Sequence, residues 1–174
     1  MRRSYVFLCF LFLFSMFFSS IGKAKVKETI YMKKGDTYSI QLKGSYSFSS
    51  KNTKKVSVSK KGKISAKKVG TGIVTARKGK KKYKYKVVVL KTMKIMGKSR
   101  CYLYKKTNQL SFPVKGSKVK WTSSDPKIAT VDETGLVTMK GYGKCVISVK
   151  YLGKEYRHPI TIQGFQGPIE NPAD

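Results

Sequence analysis

The feature that most constrains this chain is that its sequence is written twice. Phe48-Ser-Ser-Lys-Asn-Thr-Lys-Lys-Val-Ser-Val58 aligns with Trp121-Thr-Ser-Ser-Asp-Pro-Lys-Ile-Ala-Thr-Val131 at an offset of 73. The offset continues without a gap through Gly62 and Gly135, Ile64 and Val137, Gly70 and Gly143, Val74 and Ile147, Tyr83 and Tyr156, and Val89 and Ile162. Upstream it becomes 72, where Tyr38-Ser-Ile-Gln-Leu-Lys-Gly44 meets Leu110-Ser-Phe-Pro-Val-Lys-Gly116. A repeat of this kind means two copies of one small unit rather than a single core. The boundary falls near Lys91 to Gly97. The expected layout is a leader over 1–24, repeat one over 25–93, repeat two over 94–163 and a tail over 164–174.

Period-two alternation gives the element type. Tyr38, Ile40 and Leu42 alternate with polar neighbours, and so do Leu110, Phe112 and Val114. Cys145, Ile147 and Val149 alternate with Val146, Ser148 and Lys150. Tyr83, Tyr85, Val87 and Val89 alternate with lysines. Such spacing places one set of side chains in a core and the other in water. No helical stripe of useful length follows residue 25. Lys61-Gly62 and Thr134-Gly135 read as tight turns, Lys78 to Lys82 and Leu152-Gly-Lys154 as later hairpins. The expectation is an all-β protein of two tandem β-sandwiches.

The N-terminus sets the expected compartment. Arg2 and Arg3 precede an apolar stretch from Val6 to Phe18, broken only by Ser15, and Gly22-Lys-Ala24 follows. This reads as a secretory signal peptide cut after Ala24, since a membrane span needs about 20 apolar residues. Cys9 sits inside the leader, too early for a lipid attachment site. The mature chain is expected to be secreted, or held non-covalently at a cell surface, as a monomer without a membrane span.

Trp121-Thr-Ser-Ser-Asp-Pro-Lys-Ile-Ala-Thr-Val-Asp-Glu-Thr-Gly-Leu-Val137, with Gly143 and the strand to Val149, resembles the bacterial immunoglobulin-like domain, group 2. Repeat one is the weaker match, with Phe48 in place of the tryptophan. The resemblance implies an immunoglobulin-like sandwich in each copy and a secreted or surface context of adhesion, wall association or spacing. It also implies that Trp121 is a core residue.

Charge separates the copies. Residues 25–93 hold 21 Lys and Arg against two acids, and residues 94–174 hold 14 against six. Lys78, Lys80, Lys82, Lys84 and Lys86 form the densest run. In a strand, Lys80, Lys82, Lys84 and Lys86 share a face at a spacing of about 6.6 Å, twice the strand rise. Lys60, Lys61, Lys63, Lys67 and Lys68 come from neighbouring turns and strands. The rival reading is that lysines simply protect an exposed sheet edge. The expected partner is an anionic cell-wall polymer, such as a teichoic acid-like chain, or an acidic glycan. Nucleic acid is disfavoured, because Tyr83 and Tyr85 share the parity of Val87 and Val89 and are expected inside rather than stacked on bases. The alternative role is a structural spacer or adhesin subunit whose charge serves solubility.

Material for catalysis is scarce. Eight carboxylates and the single His158 show no nucleophile–base spacing, so the chain reads as non-enzymatic with no cofactor. Asp125, Asp132 and Glu133 form the one acidic cluster; turn capping is expected of them rather than calcium binding, so no metal site is assigned. Cys101 and Cys145 both lie on the apolar parity of their strands. They are read either as a disulfide or as two buried thiols, and repeat one has Thr29 and Gly72 at these places.

Overall fold

The computed structural model describes residues 26–164. The expected leader over 1–24 and nearly all of the expected tail lie outside the described residues. Among the described residues no helix is long and apolar enough to cross a membrane.

Repeat one begins with β1 (Val26–Lys33), β2 (Thr37–Ser39), β3 (Ser47–Ser50) and β4 (Val56–Val58). It continues with β5 (Lys63–Ala66), β6 (Gly70–Lys78) and β7 (Lys81–Leu90). They form a four-stranded sheet in the order β1-β7-β6-β3 facing a three-stranded sheet in the order β2-β5-β4. Repeat two supplies β8 (Arg100–Tyr102), β9 (Thr107–Gln109), β10 (Lys120–Ser123), β11 (Ala129–Val131), β12 (Leu136–Met139), β13 (Gly143–Tyr151) and β14 (Lys154–Gln163). Its sheets run β10-β13-β14-β8 and β11-β12-β9, the same topology strand for strand. In both copies the first strand pairs parallel to the last, and every other pairing is antiparallel. The all-β expectation holds; among the described residues the only helical pieces are short 3-10 turns at Leu103–Lys105 and Gly116–Lys118.

Alternation translates directly into two cores. One cluster gathers Ile30, Val56, Ile64, Val74, Tyr85, Val87 and Val89. The other gathers Leu110, Phe112, Val137, Ile147, Val149, Ile160 and Ile162. Met93, placed in repeat one by its sequence position, packs into the second core. The strands are shorter than the alternation. β2 stops at Ser39 and β9 at Gln109, yet Ile40, Leu110, Phe112 and Val114 still point inward and are buried.

The repeat's strongest sequence matches are physically coupled. A Cβ on Gly135 would meet Trp121 Cζ2 at 2.9 Å, and one on Gly62 would meet Phe48 Cζ at 2.7 Å. Each aromatic ring therefore lies flat over a glycine that also has positive φ (86° and 79°) in the tight turn beneath it. Trp121 is half-buried and packed on the second core, as the resemblance implied.

A second coupled pair differs in volume. Val56 sits over Gly72 in repeat one, where an added Cβ would meet Val56 Cγ2 at 2.8 Å. The equivalent residues in repeat two are Ala129 and Cys145, both buried. A large side chain over none has become a small one over a medium one, which keeps the volume nearly constant.

The two repeats touch. Leu152, in the β13–β14 turn, packs against both cores, and Tyr31 and Leu90 of repeat one pack against the second core. The Tyr31 amide donates to the buried Tyr151 hydroxyl at 2.9 Å. Lys118 Nζ reaches Glu28 at 3.1 Å and the Thr29 carbonyl at 3.2 Å, and Lys154 Nζ reaches Asp36 at 2.7 Å. Glu28 and Asp36 are the only acids within 25–93. Both are engaged by lysines of the other repeat.

Candidate polyanion-binding surface

The lysines sort by strand geometry. Lys82 and Lys86 are exposed and Lys84 half-buried on β7, while Tyr85 between them is buried and Tyr83 half-buried. The row is therefore real for Lys82, Lys84 and Lys86, and the tyrosines turn inward as expected. Lys80 is a correction. It belongs with Gly79 to the two-residue β6–β7 turn rather than to the strand face. Glycine with positive φ (55°) at the first turn position suits a tight hairpin, so the chain reverses one residue before the row begins.

β7 is hydrogen-bonded on both sides, to β1 and to β6. Edge protection consequently cannot explain Lys84 and Lys86, which lie within the β1 register, although Lys81 and Lys82 precede it. The register adds to the cost: Lys81 faces Lys78 and Lys82 faces Arg77 across the β6–β7 ladder. Like charges directly opposite are destabilising, by roughly 0.2–1 kcal/mol per pair.

The remaining lysines divide between the two ends of the sandwich. Lys60 and Lys61 occupy the β4–β5 turn, at the same end as the β6–β7 hairpin. Lys78 belongs there too, because its ammonium approaches Gly44 and lies 5.9 Å from the centre of the Tyr46 ring. Lys27 Nζ stands 4.4 Å from the centre of the Tyr83 ring nearby, and the Tyr46 and Tyr83 rings are 6.0 Å apart. Lys63 opens β5 at this end and is exposed. Lys67 and Lys68 lie at the opposite end, where their amides bond the Lys55 carbonyl and the adjacent Ala66 amide bonds the Asp36 carbonyl. They lie at the Asp36 end and do not join the others.

Sequence reading missed a pocket at the basic end. Leu42, Gly44, Ser45, Tyr46 and Phe48 form its walls, Lys60 and Lys61 its rim, and it encloses about 240 Å³. Only the pairing of β2 with β5 brings the loop after Ile40 to that turn, and linear spacing carries no sign of it.

The acidic residues are occupied by turns. Asp132 accepts from the Thr134 amide at 2.8 Å, the Thr134 hydroxyl at 2.7 Å and the Leu136 amide at 2.9 Å. The Thr134 hydroxyl above all holds its carboxyl below the usual aspartate range. Asp125 accepts from the Lys127 amide at 2.9 Å. In repeat one the same turns are capped by neutral groups: Asn52 accepts from the Lys55 amide at 3.3 Å and Ser59 from the Lys63 amide at 3.1 Å. The copies thus reach one geometry with opposite effects on charge.

His158 has a neighbour that its isolation in sequence concealed. Its Nε2 lies 3.3 Å from Ser99 Oγ and 3.4 Å from the Lys98 carbonyl. A carbonyl only accepts, so this contact favours the proton on Nε2 and leaves Ser99 without a base.

Cys101 and Cys145 are buried free thiols. Cys101 pairs with Ile162 and Cys145 with Ile160, so β14 runs between them. Two strand spacings amount to about 9.6 Å, beyond the roughly 7 Å that a disulfide spans between Cα atoms. Burial raises both thiol pKa values.

Residues 116–151 match the intimin immunoglobulin-like domain family. This segment lies within repeat two and supports its reading as a bacterial immunoglobulin-like domain. No curated protein matches the chain. Solved structures with some likeness include an intimin mutant from EHEC O157:H7, with 23% identity, TM-score 0.34, and coverage of 40% of this chain and 45% of that one. Another is the S-layer protein rSbsC(31-844), with 21% identity, TM-score 0.32, and coverage of 76% and 22%. A third is BT4661, a SusE-like surface located polysaccharide binding protein from Bacteroides thetaiotaomicron, with 11% identity, TM-score 0.31, and coverage of 78% and 33%. The chain spans less than half the length of each of these three.

Proposed function

We propose that the protein is a non-enzymatic, secreted or cell-surface binding module, and that its first repeat associates with anionic envelope polymers or glycans. One observation carries the reading: repeat one keeps lysine against lysine and lysine against arginine across the β6–β7 ladder. Its only two acids are taken up at the junction by the other repeat. The fold does not require this imbalance, because repeat two builds the same turns with aspartates. Uncompensated charge costs self-repulsion, and an anionic partner offsets it. Affinity for purified wall material should fall steeply with salt and be nearly lost by about 0.5 M, through counterion release. Retention unchanged at that salt would refute the electrostatic account.

The docked junction favours a second role, as a rigid spacer. Replacing Lys82, Lys84 and Lys86 by Gln separates the two. Surface retention that survives the triple change removes the β7 row from the binding account and favours the spacer.

A further inference from the structure

The pocket at the basic end of repeat one has a larger counterpart in repeat two, of about 680 Å³. In repeat two, Val114, Gly116, Ser117 and Trp121 stand where Leu42, Gly44, Ser45 and Phe48 stand in repeat one. The walls are alike: an aliphatic side chain, a glycine–serine loop and an aromatic ring lying over the turn glycine. The rims are not. Lys60 and Lys61 line the first pocket; Glu133 and Thr134 take their places in the second, where the one lining lysine is Lys115.

A third cation distinguishes them. Lys78 places its ammonium where a Cβ on Gly44 would come within 2.7 Å of it. The equivalent of Lys78 in repeat two is Tyr151, which is turned into the junction and holds the Tyr31 amide.

We propose that the repeat-one pocket receives one anionic unit of an extracellular polymer, and that the repeat-two pocket is its non-binding counterpart. The unit carries a phosphate or a carboxylate on a sugar- or polyol-sized body. The volume of about 240 Å³ falls below the roughly 300–1,000 Å³ of sites for drug-sized ligands, so one small unit fits. Phe48 and Leu42 offer it an apolar wall, and Lys60, Lys61 and Lys78 meet its charge. The proposal rests on the polyanion reading above and adds an address to it: the row on β7 supplies non-specific attraction, and the pocket selects polymers whose charge sits on an organic unit.

Repeat two supplies the control. Lys60→Glu/Lys61→Thr installs its rim in repeat one, and repeat two shows that the turn accepts Glu-Thr. Lys82→Glu/Lys86→Thr removes the same charge from the β7 face. Binding of the intact chain is measured against heparin, poly(glycerol phosphate) and inorganic polyphosphate, with thermal melts confirming that each variant folds. The rim exchange should cost about tenfold or more on heparin or poly(glycerol phosphate), with the face exchange costing clearly less. On inorganic polyphosphate, which carries no organic unit, the two should cost the same. Whichever of the first two probes shows the difference identifies the unit as sugar or polyol phosphate. Glu133→Lys added to the rim exchange should restore part of the loss. Equal losses from both exchanges on all three probes would overturn the pocket while leaving the polyanion reading intact. No loss from either would overturn both.

Discussion

Exchanging the packing of one repeat for that of the other tests the inner logic of the sandwich. Gly72→Cys places a Cβ 2.8 Å from Val56 Cγ2 and 2.9 Å from Val56 Cβ, in a site where Val56 has no solvent exposure. Overpacking of this kind costs about 1–3 kcal/mol. Val56→Ala alone removes two buried methyl groups, about 1.6 kcal/mol at 0.8 each, and leaves a cavity that brings the loss to about 2–3 kcal/mol. Gly72→Cys/Val56→Ala rebuilds the Ala129–Cys145 pair of repeat two. It relieves the Cγ2 clash but not the Cβ contact at 2.9 Å, so the two sheets must separate by several tenths of an ångström. Recovery should be partial, about half of the summed loss, which makes the favourable coupling about 1.5–3 kcal/mol. For a domain of this size each kcal/mol moves the melting midpoint by about 4–8 °C. Urea titration of the four proteins of the cycle gives the coupling directly. A double variant that loses the full sum of the single losses, within about 0.5 kcal/mol, would refute the volume-exchange account.

Other outcomes follow from the junction, the caps and the thiols. Tyr151→Phe removes the acceptor of the Tyr31 amide; stability should fall by about 1–3 kcal/mol, with faster exchange of the Tyr31 amide proton as the local readout. Asp132 has a lowered folded-state pKa, so its contribution is complete above the unfolded aspartate value near pH 4 and is lost as pH falls through the lower folded value. Asp132→Asn should therefore shrink the stability difference between pH 6 and pH 2, measured by urea midpoints; an unchanged difference contradicts the cap. The two thiols should resist alkylation in the native protein and react on unfolding, and the intact mass should not change with reductant. A gain of two hydrogens on reduction would show a bridge.

The duplication was legible because its glycine and aromatic matches are contacts: Phe48 with Gly62 and Trp121 with Gly135 had to be kept together. Inward parity was equally legible, since burial follows the pleat. Strand length was not. Leu110, Phe112 and Val114 keep their inward alternation outside β9, and alternation reports burial rather than hydrogen bonding. Lys80 was misplaced for a related reason, as a two-residue turn and a strand face look alike in a lysine run. The disulfide alternative arose because a core thiol and a bridging thiol share parity; comparing Val56 and Gly72 with Ala129 and Cys145 exposes the packing role. The pocket and the junction were hidden because each depends on which loop lies beside which turn.

The neutral caps Asn52 and Ser59 have a consequence for how repeat one responds to its surroundings. A protein surface normally gains positive charge on acidification as its carboxylates take up protons. Residues 25–93 hold only Glu28 and Asp36 and no histidine, so their net charge can rise only from +19 to +21 however acidic the medium becomes. Between neutrality and strong acid this repeat has an almost flat titration curve. On the polyanion reading, acidification would therefore loosen binding only as it protonates the partner's own groups, so a carboxylate partner would let go near about pH 4.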